Sequence, residues 1–117
     1  MSMDLVAAIA SKAMDGLYAR TAAIAHNVAN ANSAGFSPLR VTFEDALSSA
    51  AAARAGDTAA MRLARIASVR PRIDVSFDTV RLDRELVDAS SASAQYAMLA
   101  GMLTRTLQIR QLAVRGG

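Results

Sequence analysis

Apolar residues recur every three or four positions in two long stretches, one near each end of the chain. Between Met3 and about Asn32 they fall at Val6, Ile9, Ala13, Leu17, Ile24 and Val28. Such spacing places side chains on one face of an α-helix, so the pattern predicts a first long helix. We expect it to end among the turn-forming residues that follow, which are Asn30, Asn32, Ser33, Gly35 and Pro38.

The second long stretch predicts a helix from about Leu82 to Val114. One seam alternates steps of three and four, as in a coiled coil, and comprises Leu86, Ala89, Ser93, Tyr96, Ala100, Leu103, Leu107, Arg110 and Val114. Other apolar residues lie off the seam, at Met98, Leu99, Met102, Ile109 and Leu112. One partner helix covers only part of such a surface, so the pattern favours self-assembly over a closed monomeric bundle.

Shorter patterns occupy the middle of the chain. The stretch Leu39 to Phe43 alternates apolar and polar residues, Glu44 to Ala55 indicates a short helix, and Thr58 to Ala67 indicates another turn or two. In the next segment Ile73, Val75 and Phe77 alternate with polar residues, which predicts a strand with one buried face. Its candidate partner is the first extended stretch, and the two would form a hairpin.

These elements predict a mainly α fold. The long N- and C-terminal helices are expected to pack as an antiparallel, coiled-coil-like pair, with a small irregular and β-containing middle segment. The divisions are residues 1–36, 37–80 and 81–117, and a chain of 117 residues fits one domain.

Composition leaves little for chemistry. The chain has no Cys, one His and two Glu, and His26 lacks a second His or a carboxylate at helical spacing. We therefore predict no catalytic, metal or cofactor site and expect a protein that is not an enzyme. The start carries Asp4 and Lys12, unlike a signal peptide, and no stretch is apolar enough to span a membrane.

The net charge is +3 and the pI is about 10.2, with Arg supplying nearly all the positive charge. Arg105, Arg110 and Arg115 are five residues apart, so on a helix they point to different sides. The denser basic segment between Arg54 and Arg72 has no interleaved aromatic residue for stacking on bases. No nucleic-acid partner is expected, although a basic nucleic-acid-binding module remains an alternative.

Two motifs resemble one known family. The run IAHNVANANSAGF at residues 24–36 resembles the N-terminal motif of bacterial flagellar rod, hook and hook-filament junction proteins, and VRLDRELV at residues 80–87 resembles the start of their C-terminal helix. The segment FEDAL at residues 43–47 and Gln95-Tyr96 look similar to the proximal-rod members, the FlgB type.

The resemblance implies a structural subunit of the proximal flagellar rod in the periplasm, exported without a cleaved signal peptide by the flagellar type III secretion apparatus. The implied partners are copies of itself, other rod proteins, the rod-adaptor protein and the export gate. The assembly motif would be Asn27, Asn30, Asn32, Gly35 and Phe36. Helix packing and subunit contacts would use Leu17, Ile24, Val28, Leu82, Leu86, Tyr96, Met98, Leu99, Met102, Leu103, Leu107, Ile109 and Leu112.

Within that list Leu86, Tyr96, Leu103 and Leu107 are expected to pack against the first helix. Met98, Met102, Ile109 and Leu112 are expected to face other subunits. The alternatives are another flagellar axial protein and a small secreted helical hairpin. The hairpin class is disfavoured because its turn usually carries a Trp-x-Gly motif and this chain has no Trp.

Overall fold

A computed structural model describes residues 2–116 of the chain. In chain order the elements are α1 (Met3–Ala29), β1 (Leu39–Thr42), α2 (Glu44–Ala51), α3 (Ala59–Ala67), β2 (Arg72–Val75) and α4 (Leu82–Gly116). The mainly helical class with a small two-stranded sheet in the middle is confirmed.

The two long helices pack antiparallel, as predicted. The amide of Asn27, near the end of α1, donates to Glu85 in the first turn of α4. At the other end of the pair, Arg110 lies 2.8 Å from the carboxylate of Asp4. The Ser2 hydroxyl caps α1 by accepting from the Leu5 N–H, which satisfies one of the free amides of the first turn.

The core lies where α1 meets β1, α2 and α3. Leu17 and Ile24 on α1 are buried, as are Phe43, Leu47 and Ile66 from the middle segment. The ring of Phe43 covers Gly16 so closely that a Cβ atom at Gly16 would overlap ring atoms. A glycine inside a helix costs about 1 kcal/mol relative to alanine, and here it makes room for the ring.

The basic middle segment forms a small helical hairpin. The predicted helix from Glu44 ends at Ala51, earlier than expected, and Thr58 caps α3 by accepting from the Met61 N–H. The guanidinium of Arg62 donates to the carbonyl of Ala51, and that of Arg65 donates to the carbonyl of Ala52. Carbonyls at a helix C-terminus lack helical partners, so these arginines stabilise the end of α2.

Asp57 makes this hairpin sensitive to acid. Its carboxylate accepts two hydrogen bonds of 2.7 Å from Arg65 and one of 2.8 Å from the Arg54 N–H. The Arg65 guanidinium, followed by the Arg54 amide, lowers the pKa of Asp57 to about 2. A depressed folded-state pKa contributes stability that is complete above pH about 4 and is lost as the pH falls towards 2.

Asp57→Asn should therefore flatten the pH dependence of stability. We expect the wild type to lose more of its free energy of unfolding between pH 4 and pH 2.5 than Asp57→Asn does, measured by urea unfolding followed by circular dichroism. Asp45→Asn, at an exposed position, controls for removal of one negative charge. Equal losses in the wild type and Asp57→Asn would contradict this interpretation.

The two extended segments that were predicted to pair as strands do so. β1 and β2 run antiparallel with Leu39 opposite Val75 and Val41 opposite Ile73. The prediction of a buried face on the second strand was wrong, because Ile73, Val75 and Phe77 are 57%, 59% and 101% exposed. Val41 is buried and β1 contacts α1, so the helix covers the first strand and leaves the second one outside.

The molecule is elongated. Its principal extents are 61 × 31 × 14 Å, and its radius of gyration is 17.5 Å. A compact domain of this length would have a radius of gyration of about 13 Å. The long α4 therefore has few neighbours within the chain over much of its surface.

Candidate assembly site

The Asn-rich segment closes α1 as its composition predicts. The side-chain amide of Asn30 donates to the His26 carbonyl at 2.9 Å, and Gly35 adopts a positive φ of 71°. The ring of Phe36 lies 5.4 Å from that of His26. Asn32 is exposed on the outside of this turn. The segment is thus an ordered corner between α1 and β1.

Asn27 has a different position from the other residues of the motif. It lies within α1, is fully buried, and is not part of the turn. Its side-chain oxygen accepts from the Leu39 N–H at 2.8 Å, and its amide donates to the Leu39 carbonyl at 3.0 Å. Both backbone groups of one strand residue are satisfied by this amide, so Asn27 ties β1 to the helix as a neighbouring strand would.

The same amide reaches Glu85. The Glu85 carboxylate is fully buried, accepts from Asn27 at 3.2 Å, and lies 2.7 Å from the guanidinium of Arg40. Asn27, Arg40 and Glu85 form what we call the polar cluster, which joins α1, β1 and α4. A buried carboxylate is tolerated when it is paired and hydrogen-bonded, and this one has both kinds of partner.

No role for Glu85 was predicted from the sequence. The missed signal is a second heptad register, with steps of four and three, through Glu85, Ala89, Ala92, Tyr96, Leu99, Leu103, Thr106 and Arg110. Of these, Glu85 and Ala92 are buried, and Leu99 packs against the core cluster. Four of the nine residues of the predicted seam also belong to this register.

Several seam predictions are therefore corrected. Leu86 and Leu107, expected against the first helix, are 64% and 50% exposed. Glu85 takes the inward position because Asn27 and Arg40 give it polar partners, and this turns Leu86 by about 100° to the outside. Leu99, placed off the seam, packs against the core cluster and lines an apolar groove together with Leu17.

The remaining predicted packing residues divide between core and surface. Leu17 and Ile24 are almost fully buried, so they belong to the core of the chain itself. Val28 and Tyr96 are each 39% exposed, and Leu103 is half-buried. These three side chains are thus only partly covered within the chain.

Two stripes of exposed apolar side chains flank the inward register of α4. The methionine stripe consists of Met98, Met102, Ile109 and Leu112, all 45–65% exposed. The leucine stripe consists of Leu82, Leu86, Leu107 and Val114, all 48–81% exposed. At about 100° per residue the two stripes lie on opposite sides of the register that faces α1. The residues predicted to face other subunits are thus at the surface.

A second charged contact holds the C-terminal end of β1 against α1. Arg20 donates to both carboxylate oxygens of Glu44, at 2.7 and 2.8 Å, and to the Val41 carbonyl at 2.6 Å. Its guanidinium also lies 5.0 Å from the centre of the Phe43 ring. The hydrogen bonds from Arg20 lower the pKa of Glu44 to about 2, and those to Glu44 raise the pKa of Arg20. The contact positions β1 and α2 on α1.

A polar cavity of about 660 Å³ opens beside the start of α4. Its walls carry charges of both signs, from Arg40, Arg81, Arg84, Asp78 and Asp88. Arg40 is paired with Glu85, and Arg81 lies 3.2 Å from Asp83. The cavity therefore offers no concentration of one sign of charge for a ligand.

Within residues 2–116, no three or more His, Asp or Glu side chains are grouped as a metal site would need. None of the helices described is long and apolar enough to cross a bilayer. Comparison of the chain with protein-family models, with curated proteins and with solved structures found no match. The functional proposal therefore rests on the sequence motifs and on the geometry of the surface.

Proposed function

We propose that this chain is a structural subunit of the proximal rod of the bacterial flagellar basal body. It assembles with copies of itself and with other rod proteins, contacts the rod-adaptor protein and the export gate, and transmits torque around the export channel. It reaches the periplasmic rod through the flagellar type III secretion apparatus. The sequence motifs at residues 24–36 and 80–87 support this family.

The observation that carries the proposal is the pair of apolar stripes on α4. After α1 has covered its side of α4, the methionine stripe and the leucine stripe both remain exposed. Monomeric proteins rarely expose such extended apolar surfaces unless another molecule covers them. Because the stripes lie on opposite sides of one helix, a single partner cannot cover both, and packing among several neighbours, as in a tube, can.

The accessible surface area also supports assembly with several neighbours. The accessible surface is 7642 Å², whereas a compact monomer of 12.2 kDa would expose about 6,060 Å². The excess comes from an elongated shape with an extent of only 14 Å in its thinnest direction. Such a shape gains most from burial between neighbours, where the apolar area of α4 would leave water.

Leu112→Asp should prevent assembly without unfolding the subunit. Leu112 is 65% exposed in the methionine stripe, so a charge there costs little in the free chain but is unpaired in a buried contact. In a deletion strain of the source organism, we expect the variant to be produced and to fail to restore swimming and rods in purified basal bodies.

Gln108→Asp, one turn earlier on α4 and exposed outside both stripes, is the matched control and should restore both. Swimming with Leu112→Asp, or intact rods in the deletion strain, would contradict the proposal. A deletion strain that builds rods but lacks a more distal axial segment would instead favour another flagellar axial protein.

A further inference from the structure

The two edges of the small sheet differ. On β1 the outward backbone groups have partners, since Leu39 pairs with Asn27 through both its N–H and its carbonyl, and the Val41 carbonyl accepts from Arg20. The outward backbone groups of β2 have no such partners among residues 2–116. All four of its residues are exposed, and among residues 2–116 the sheet has no third strand.

The hydrogen-bond pattern shows which groups of β2 face outward. The Ser76 N–H donates to the Pro38 carbonyl at 2.8 Å, and antiparallel pairs alternate between hydrogen-bonded and non-hydrogen-bonded positions. In the observed register Val75 and Ile73 therefore occupy non-hydrogen-bonded positions towards β1. Their N–H and carbonyl groups point to the open edge, where unpaired strands bind further strands.

We propose that β2 of one copy pairs with β2 of a second copy, antiparallel and about a twofold axis at Ile73. The result is a four-stranded sheet with β1 at each outer edge. The two Ile73 residues would exchange hydrogen bonds, and each Val75 N–H would donate to the Pro71 carbonyl of the other copy, about four bonds in all.

Charge complementarity selects a second copy and this register. With the axis at Ile73, Arg72 of each copy stands opposite Asp74 of the other, and opposite charges on facing residues stabilise a strand pair. With the axis at Asp74, two carboxylates would face each other. With the axis at Val75, the ladder would extend into residues 77–78, where the chain bends.

The apolar side chains agree with this arrangement. Ile73 and Val75 lie on the face that carries Leu39 and Val41, yet they are 57% and 59% exposed. Pairing at Ile73 continues that apolar face across the axis, while Arg72 and Asp74 form a charged layer on the opposite face. Pairing at the edge of β2 thus gives the side chains on both faces of the strand suitable neighbours, apolar on one face and oppositely charged on the other.

The pairing goes beyond the proposed function. A twofold contact uses the same surface on both copies and closes on itself, whereas a rod grows through contacts between different surfaces. The pairing consequently concerns the free subunit, and it is tested on purified protein without reference to motility.

Single cysteines test it directly, because the chain has no Cys of its own. Paired Cα atoms at Ile73 would be about 5.5 Å apart, within the disulfide range of about 4.4–6.8 Å. In this register the two Asp74 residues, and the two Val75 residues, lie further apart. Under mild oxidation Ile73→Cys should form a disulfide-linked dimer several-fold faster than Asp74→Cys, Val75→Cys and the exposed control Ala60→Cys.

Charge reversal provides a second test of the strand pairing. In the Ile73→Cys background, Arg72→Asp should slow cross-linking several-fold, and the double change Arg72→Asp with Asp74→Arg should restore it. Both side chains are exposed, at 77% and 52%, so the fold is not at risk. Cross-linking of Ile73→Cys at the rate of Ala60→Cys, faster linking at Asp74→Cys, or insensitivity to Arg72→Asp would each overturn the proposal.

Discussion

Glu85→Ala is expected to lower the free energy of unfolding by about 1–3 kcal/mol, the usual cost of leaving a buried hydrogen-bonding group without its partner. The fully buried carboxylate holds Arg40 at 2.7 Å and Asn27 at 3.2 Å. Alanine would leave one N–H of the buried Asn27 amide without its partner, would remove the ion pair of Arg40, and would open a cavity where three elements meet. Urea unfolding followed by circular dichroism measures the loss.

Asp83→Ala is the matched control for this change. Asp83 lies in the same first turn of α4 and bears the same charge, but its side chain is 72% exposed beside Arg81. Exposed pairs and helix-dipole effects are each worth at most about 1 kcal/mol. Equal losses for Glu85→Ala and Asp83→Ala would show that the polar cluster does not stabilise the fold.

Gly16→Ala is the second large effect, and its direction is opposite to helix propensity. In an open helix this change would stabilise the chain by about 1 kcal/mol. Here the new methyl group would overlap the ring of Phe43, which is itself 5% exposed and held in the core. Overpacking of this kind costs about 1–3 kcal/mol, so we expect net destabilisation and a lower Tm.

Gly101→Ala gives the contrasting result within the same molecule. Gly101 also lies inside a long helix, but a Cβ atom there meets nothing within 4 Å. The substitution should raise the free energy of unfolding of the free chain by up to about 1 kcal/mol. A stabilising Gly16→Ala would show that Phe43 moves aside at little cost.

The local elements could be predicted from the sequence because each has a short-range cause. One face of the first helix is specified by the spacing of its apolar residues, Val6, Ile9, Ala13, Leu17, Ile24 and Val28. Gly35 at positive φ marks the corner after the helix. The pairing of the two strands followed from alternation, together with the lack of another extended stretch. These signals lie within a few residues of the structure that they specify.

The polar cluster could not be predicted in the same way. Asn27 finds its partners at Leu39 and Glu85, which are 12 and 58 residues away along the chain. A search for apolar seams passes over a buried carboxylate, and it therefore selected Leu86 in place of Glu85. A charged residue at a heptad position is visible in the sequence, but its partners appear only when the chain has folded.

The exposure of β2 shows a different limit of prediction from sequence. The alternation of Ile73, Val75 and Phe77 correctly indicates two faces, but it does not say whether any element covers the apolar one. In the structure α1 packs against Leu39 and Val41 of β1 but does not extend over β2, and Phe77 beyond β2 is fully exposed. Whether such a face is buried depends on the width of the neighbouring layer.

The position of the polar cluster has a mechanical consequence. Between Glu85 and Arg110 the inward register of α4 consists mostly of alanine and leucine, and such contacts re-form when one helix slides by a heptad, about 10.5 Å. The hydrogen bonds of Asn27 and Glu85 are lost within a much shorter displacement. Under shear along the long axis, the polar cluster next to the sheet and the ion pair between Asp4 and Arg110 at the other end should therefore break before the apolar contacts between them.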